Sequence, residues 1–307
     1  MSRSLSRLLL LAALASGAGS MKVVVTGAGG RTGSLCFKKL RERAGVEAVG
    51  CVRSLPPAKL YKRLGASRDE LDGALAEVDV TNGPEELTSL LQREKAEALM
   101  IATSAVPKIK PLSILKALVL KPFGKSARPS FRFPPGGTPE EVDWLGQKSQ
   151  IDAAVASGCV KHVVLCSSMG GTDAGNFLNT IGLKPDGSGG SILLWKRKAE
   201  KYLVASGIDY TILHPGGLLD QPGGRRIVLG VDDELLKRKV RSIPRDDVAE
   251  VMVLSLFVPK MRKRSVDLIS EDAPRDAGAL LSTLETSGLL GNCDYNDKSL
   301  PEPKSQF

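Results

Sequence analysis

The sequence has few of the residues from which metal and redox centres are usually built. It contains two histidines, His162 and His214, and five cysteines, Cys36, Cys51, Cys159, Cys166 and Cys293, with no C-x-x-C pair among them. A histidine-based metal cluster or a zinc site of regular spacing is therefore not expected. An odd cysteine count without framework spacing also argues against a disulfide scaffold, so a reducing compartment is the natural home. Aromatic residues are only 4% of the chain, which suits an aliphatic, parallel α/β core better than a β-sandwich. No stretch is long and apolar enough to cross a membrane, and no internal repeat is present.

Acidic residues are missing in two places, before Glu42 and between Glu97 and Glu140. The first gap contains Arg3 and Arg7, a short apolar run from Leu8 to Ala15, and then Ser, Gly and Ala residues. Residues 1–20 thus have the composition of a short signal peptide, of an organelle-import leader, or of an upstream extension of no consequence, since Met21-Lys22 would begin a domain cleanly. The cysteine pattern ranks a plastid or cytoplasmic location above secretion. The second gap holds Lys108, Lys110, Lys116, Lys121, Lys125, Arg128 and Arg132. Such a segment is either a solvated basic loop or a contact for an anionic ligand or partner. A nucleic-acid partner is not expected, because the only aromatics available for stacking there are Phe123, Phe131 and Phe133.

What is present begins at Val23-Val24-Val25-Thr26-Gly27-Ala28-Gly29-Gly30-Arg31-Thr32-Gly33-Ser34. A β-branched run stops at glycines, and apolar residues at helical spacing follow through Leu35, Phe37 and Leu40. This pattern predicts strand, tight turn and helix, the entry unit of a nucleotide-binding α/β domain. Gly27, Gly30 and Gly33 are spaced to let the backbone approach a diphosphate and the helix pack closely on the strand. The N–H groups of the helix start would meet the anion. On its own the glycine pattern is weak, because Gly-rich turns are common; its context strengthens it.

The second strand, Val46 to Val52, ends in Arg53-Ser54, with Lys59 further on. An acid at this place would bond the ribose of NAD and repel a 2′-phosphate, whereas a guanidinium offers that phosphate a fork of donors. NADP is therefore the expected cofactor, although a solvated arginine at a strand end is the plainer reading. Asp79 ends a third strand, Ala76 to Val80, and could accept a bond from an adenine amino group or cap the next helix. An apolar fourth strand, Ala96 to Ala102, runs into the small residues Thr103-Ser104-Ala105, as a cofactor crossing the carboxyl edge requires.

Further on, a helix is expected from Glu140 to Gly158, with Val142, Leu145, Ile151, Ala154 and Val155 at helical spacing. A fifth strand (Val160–Cys166), a helix (Ile192–Ser206), a sixth strand (Ile208–Leu213), an amphipathic helix (Asp246–Leu256) and a last strand (Ser265–Ser270) follow. Residues 21–270 would form the nucleotide-binding domain, with a small cap on the substrate side from 106–140, 172–191 and 218–242. Residues 271–307 would add a short helix and a frayed tail from Asn292 onwards.

Together these landmarks resemble the atypical short-chain dehydrogenases/reductases with an NmrA-like, NAD(P)-binding Rossmann domain, and within them a small plant and algal NADP-binding subfamily. The matching stretches include Val25–Gly33, Val52-Arg53-Ser54, Thr103–Lys108, Val142–Lys148, Ser168–Gly171, Trp195–Glu200 and Gly216–Asp220. The leader and the basic loop depart from the pattern. The resemblance implies a doubly wound α/β fold, with a seven-stranded parallel sheet and NADP across its carboxyl edge. It would place Gly27, Gly30, Arg31 and Thr32 at the pyrophosphate, with Gly33 completing the motif. Arg53 and Ser54 would take the 2′-phosphate, and Asp79 and Val80 the adenine. Thr103, Ser104 and Ala105 would line the ribose–nicotinamide path, and Pro215 and Gly216 the nicotinamide.

Typical reductases of this kind use Y-x-x-x-K, in which the tyrosine donates the proton and the lysine lowers its pKa and holds the nicotinamide ribose. Here the lysine falls on Lys196 and the tyrosine position on Ile192, which cannot donate a proton. Lys196 is thus the one candidate catalytic residue, by way of the ribose. The expected activity is an NADP(H)-dependent oxidoreductase on an unidentified small molecule. A non-catalytic NADP-binding redox sensor, or a scaffold for a protein or nucleic acid, is the alternative.

Overall fold

The structure is a computed structural model that describes residues 20–54, 58–109, 113, 131–297 and 299–306. Leader residues 1–19, the apolar patch Leu112–Leu120 apart from Ser113, and most of the basic segment lie outside these residues.

Strand β1 (Met21–Thr26) is central. Its Val23, Val24 and Val25 are buried, as a parallel strand covered on both faces requires. Helix α1 (Arg31–Arg41) returns to pair β1 with β2 (Val46–Val52), and a short helix α2 (Ala58–Leu64) leads towards β3 (Leu75–Glu77). Helix α3 (Glu85–Glu94) precedes β4 (Ala98–Ile101), which pairs with β1 on its other side. Two-residue strands β5 (Lys108–Ile109) and β6 (Phe131–Arg132) form a separate ladder at the ends of the basic segment. The second half supplies β7 (His162–Cys166), β8 (Asp209–Pro215) and β12 (Arg264–Pro274) to the main sheet. Between the last two, β9 (Gly217–Leu219) and β11 (Ser242–Pro244) make a small parallel ladder, and β10 (Arg225–Gly230) pairs antiparallel with β12.

The main sheet therefore runs β10-β12-β8-β7-β4-β1-β2-β3. Seven of its strands are parallel, and β10 is an eighth, antiparallel edge strand. The seven-stranded expectation missed β10 because its stretch mixes glycine and charge. Only its pairing along β12 makes Arg225–Gly230 extended. The strand order reverses between β1 and β4, so the loops leaving them diverge and open a crevice at the carboxyl edge.

Helices cover both faces. Phe37 and Leu40 of α1 pack with Val248 and Met252 of α6 (Arg245–Ser255) in one core cluster, joined by Leu280 and Leu284 of α7 (Ala279–Thr286). Leu87 and Leu91 of α3, Ile151 of α4 (Gln147–Ser157) and Leu203 of α5 (Ile192–Ala205) fill the opposite face. Each such side chain contributes roughly 1.5–3 kcal/mol of burial free energy.

Two expectations are corrected here. The helix from Glu140 opens as a π-turn over Glu140–Gly146 before α4 begins. Wider turns shift the helical phase, so Leu145 (45% exposed) and Val155 (50%) face solvent, while Asp143, Gln147 and Gln150 are buried. The tail from Asn292 is not frayed. Asn292 Oδ1 accepts the Ser265 amide at 2.7 Å, Tyr295 bonds Ser265 Oγ at 2.5 Å, and Gln306 donates its amide to Glu140 at 2.8 Å. A polar tail reads as loose in sequence because its partners lie on distant elements.

Candidate cofactor site

A cavity of ≈ 650 Å³ opens at the carboxyl edge where the loops after β1, β2 and β4 meet. Its floor is the glycine turn. Gly27 has φ +71°, and a Cβ there would lie 2.7 Å from the Ala102 carbonyl oxygen, so only glycine lets the β1 and β4 loops approach this closely. A Cβ on Gly33 would drive into the Gly27 carbonyl, far inside van der Waals contact. The Gly30 amide donates to the Gly27 carbonyl at 2.8 Å and closes the turn. Gly30 then caps α1 without any side-chain hydrogen bond, which leaves the first-turn N–H groups uncompensated beside the cavity. Such a terminus favours an anion.

Gly27, Gly30, Arg31 and Thr32 line the cavity on this side, and Thr103, Ser104 and Ala105 line it from the β4 loop. Those loops are braced from behind. Gln150 accepts from Thr26 Oγ1 at 2.5 Å and donates to Thr103 Oγ1 at 3.1 Å. The Ala105 amide donates to the Asp143 carboxylate at 3.3 Å. The polar face that the π-turn directs inward thus holds the loop that walls the cavity.

Arg53, Ser54, Asp79 and Val80 form the far end, together with Arg63 of α2. Asp79 neither caps α3, which starts at Glu85, nor points away. It accepts the Thr81 amide at 3.0 Å and the Thr81 hydroxyl at 2.7 Å, and its other oxygen lies 3.4 Å from Arg53 Nε. Arg63 donates to the Gly29 carbonyl. Two guanidiniums therefore flank this end. The sequence reading passed over Arg63 because α2 carries only a short amphipathic signal. The side chain of Lys59 lies outside the described residues.

Arg31 also reaches across the groove, 2.8 Å from Asp220 Oδ2, while Arg245 of α6 holds Asp220 Oδ1 at 2.6 Å. Arg245 and Leu218, both lining residues, were likewise not singled out from sequence. Their contribution depends on the β9–β11 ladder beside the crevice. Cys51 lies in the wall as well, but burial pushes its thiol up to about 12, which makes it a packing residue and not a nucleophile.

Four expected residues stand apart from the lining: Gly33, which packs behind the turn against Gly27, and Pro215, Gly216 and Lys196. Pro215 ends β8, and Gly216 is pressed against the Arg241 carbonyl, where a Cβ would not fit. Lys196 is 5% exposed and places its ammonium 2.7 Å from Asp143, which is fully buried. Burial raises the Asp143 pKa, and the Lys196 charge opposes that rise. Ile192, one turn before Lys196, is buried. Tyr202 donates to Asp152 at 2.6 Å, and Tyr210 faces inward from β8, so neither tyrosine stands in the cavity wall.

The glycine cradle, the free helix terminus and the basic rim fit a dinucleotide with a diphosphate. The NAD(P)H-binding family matches residues 27–259, and the chain belongs to this NAD(P)-binding Rossmann family. It is 44% identical over 253 residues to an uncharacterised chloroplastic protein of Arabidopsis thaliana, covering 82% of this chain and 70% of the relative. It is 39% identical over 290 residues to sanguinarine reductase of Eschscholzia californica, covering 89% and 99%. Among solved structures, an NAD-dependent epimerase/dehydratase-type protein of Bacillus halodurans aligns over 87% of this chain and 99% of its own with a TM-score of 0.61 at 20% identity. A short-chain dehydrogenase/reductase of Veillonella parvula in complex with NADP aligns over 83% and 97% at 0.53 and 14% identity. The two solved structures share the fold.

Proposed function

We propose that this protein is an NADP(H)-dependent reductase acting on a small organic acceptor. The observation that carries the cofactor choice is the pair Arg53 and Arg63 at the far end of the cavity, with Asp79, the one acid among the described lining residues, already engaged by Thr81 and Arg53. Two guanidiniums recognise a 2′-phosphate better than a bare ribose. The bound nicotinamide would supply a hydride. The chain's own part is to hold the diphosphate on the α1 terminus, orient the ribose–nicotinamide half along Thr103–Ala105, and keep the loop rigid through Asp143 and Gln150. The proton would come from water or from the substrate, since Ile192 stands where a tyrosine would donate it. The reductase relative supports the reaction class, and the chloroplastic relative supports residence in a plastid. We expect no nucleic-acid partner.

Calorimetric titration with NADPH and NADH at one salt concentration tests the cofactor choice, and equal affinities would refute it. A second reading, an NADP-binding redox sensor or scaffold, is favoured by buried Ile192 and by the pairing of Lys196 with Asp143. NADPH oxidation across a panel of carbonyls, quinones and enones separates the two. Turnover above background supports the reductase, and tight binding without any turnover supports the sensor.

A further inference from the structure

Near the carboxyl end of β8, three side chains of different chemistry converge from three elements. His214 comes from β8, Asp267 from the facing position of β12, and Cys293 from the C-terminal strap. All three are buried. His214 Nδ1 lies 3.2 Å from Asp267 Oδ1 and 3.7 Å from Cys293 Sγ. The three ligand atoms lie within 4.8 Å of one another. Donor–metal bonds of about 2.0–2.3 Å in a tetrahedron place neighbouring donors roughly 3.3–3.7 Å apart, close to these separations.

The groups behind the three donors are arranged as the outer partners of a metal centre would be. His214 Nε2 faces Glu200 Oε2 at 3.2 Å, a carboxylate behind the imidazole. The Asp233 amide donates to the second Asp267 oxygen at 2.7 Å. The Asp232 amide points at Cys293 Sγ at 3.5 Å. A small void of ≈ 10 Å³ lies among these groups, just large enough for one water or ion. Asp232 is exposed at its rim and offers a path in. Four carboxylates, Glu200, Asp232, Asp233 and Asp267, line the void against one guanidinium, Arg197, so the surroundings favour a cation.

We propose that His214, Asp267 and Cys293 form a binding site for a divalent transition-metal ion of the zinc type, which pins the C-terminal strap to the paired strands β8 and β12. The ion replaces the proton on imidazole Nδ1 and the proton on the thiol, and both leave to solvent. A nitrogen, oxygen and sulfur donor set suits zinc or cobalt better than magnesium or calcium. The sequence argued against such a site on its two histidines and its cysteine spacing. Residues 214, 267 and 293 share no local pattern, and only strand pairing and the strap bring them together.

The probe is Co²⁺, added to the full-length protein without cofactor, with Zn²⁺ as competitor. The expected result is a saturable thiolate-to-cobalt charge-transfer band with tetrahedral visible absorption at one equivalent, displaced by Zn²⁺. Cys293→Ser should abolish the charge-transfer band and weaken binding at least about tenfold. Cys159→Ser, a half-buried cysteine outside the cluster, should change neither. Absence of a saturable band in the unmutated protein, or a band that survives Cys293→Ser, overturns the proposal. The measurement is independent of NADP binding, so it stands or falls apart from the reductase reading.

Discussion

Lys196 donates to Asp143 across 2.7 Å, and the pair ties helix α5 to the π-turn while the same carboxylate receives the Ala105 amide from the cavity wall. The lysine that the sequence motif reserves for a ribose is thus part of the frame behind the cofactor loop.

Removing one member of that pair leaves the other charge buried without its counter-ion. Lys196→Met should destabilise the protein by about 3–5 kcal/mol, read as a shift in the denaturant midpoint. The double variant Lys196→Met with Asp143→Leu should recover much of the loss. If the double variant is no more stable than the single one, the pair is not the source of the effect. NADPH affinity measured on Asp143→Asn then reports how far the Ala105 loop depends on the carboxylate.

At the far end of the cavity, charge reversal should act on the cofactor rather than on the fold, because Arg53 is largely exposed. Arg53→Glu should cost NADPH at least one charge-assisted contact, about 1.5–3 kcal/mol, and leave NADH binding equal or better. Arg63→Ala should weaken NADPH in the same direction. Calorimetry with both cofactors checks this, and a parallel loss for NADH would show that these arginines do not read the 2′-phosphate.

Gly33→Ala tests the cradle. The new methyl would collide with the Gly27 carbonyl, so either the turn opens or α1 moves away from β1. Overpacking of this kind costs about 1–3 kcal/mol, and the displaced helix start should weaken NADPH binding along with stability. Unchanged binding would mean that the turn accommodates the methyl elsewhere.

His162 sets a pH dependence whose sign follows from its hydrogen bonds. Thr211 Oγ1 donates to the Met261 carbonyl at 2.7 Å, so His162 Nε2, 2.9 Å away, must donate to Thr211. Nδ1 is buried with no partner among the described residues, so the ring is held neutral with its one proton on Nε2. Protonation would place a charge there with nothing to accept it. Burial first, and then Arg262, lower its pKa to about 4 from the usual 6.5. Below pH 6.5 the unfolded chain takes up a proton that the folded chain refuses until about pH 4, so this group makes stability decrease as the pH is lowered through that window. The loss reaches about 3 kcal/mol. Thermal unfolding of His162→Gln should lack this part of the acid dependence, and an NMR titration of the ring should show no protonation at pH 5.5.

The sequence by itself determined the local units whose signals lie within a few residues: the Val-rich strand stopped at Gly27, the glycine spacing through Gly33, and Arg53 at a strand end. Steric rules for backbone and hydrophobic periodicity act over such short ranges, so they can be read from neighbours alone. Only the tertiary structure decided the rest. Whether Arg225–Gly230 becomes a strand depended on β12 being there to pair with it. Whether Leu145 faces the core depended on one wide turn, and the pairing of Lys196 with a carboxylate depended on Asp143, 53 residues earlier. The groove's outer rim at Arg63, Asp220 and Arg245, and the meeting of His214, Asp267 and Cys293, are likewise products of strand order and chain return. Long-range packing leaves no periodic trace in sequence, because the free energy of each such contact belongs to a pair and not to a residue.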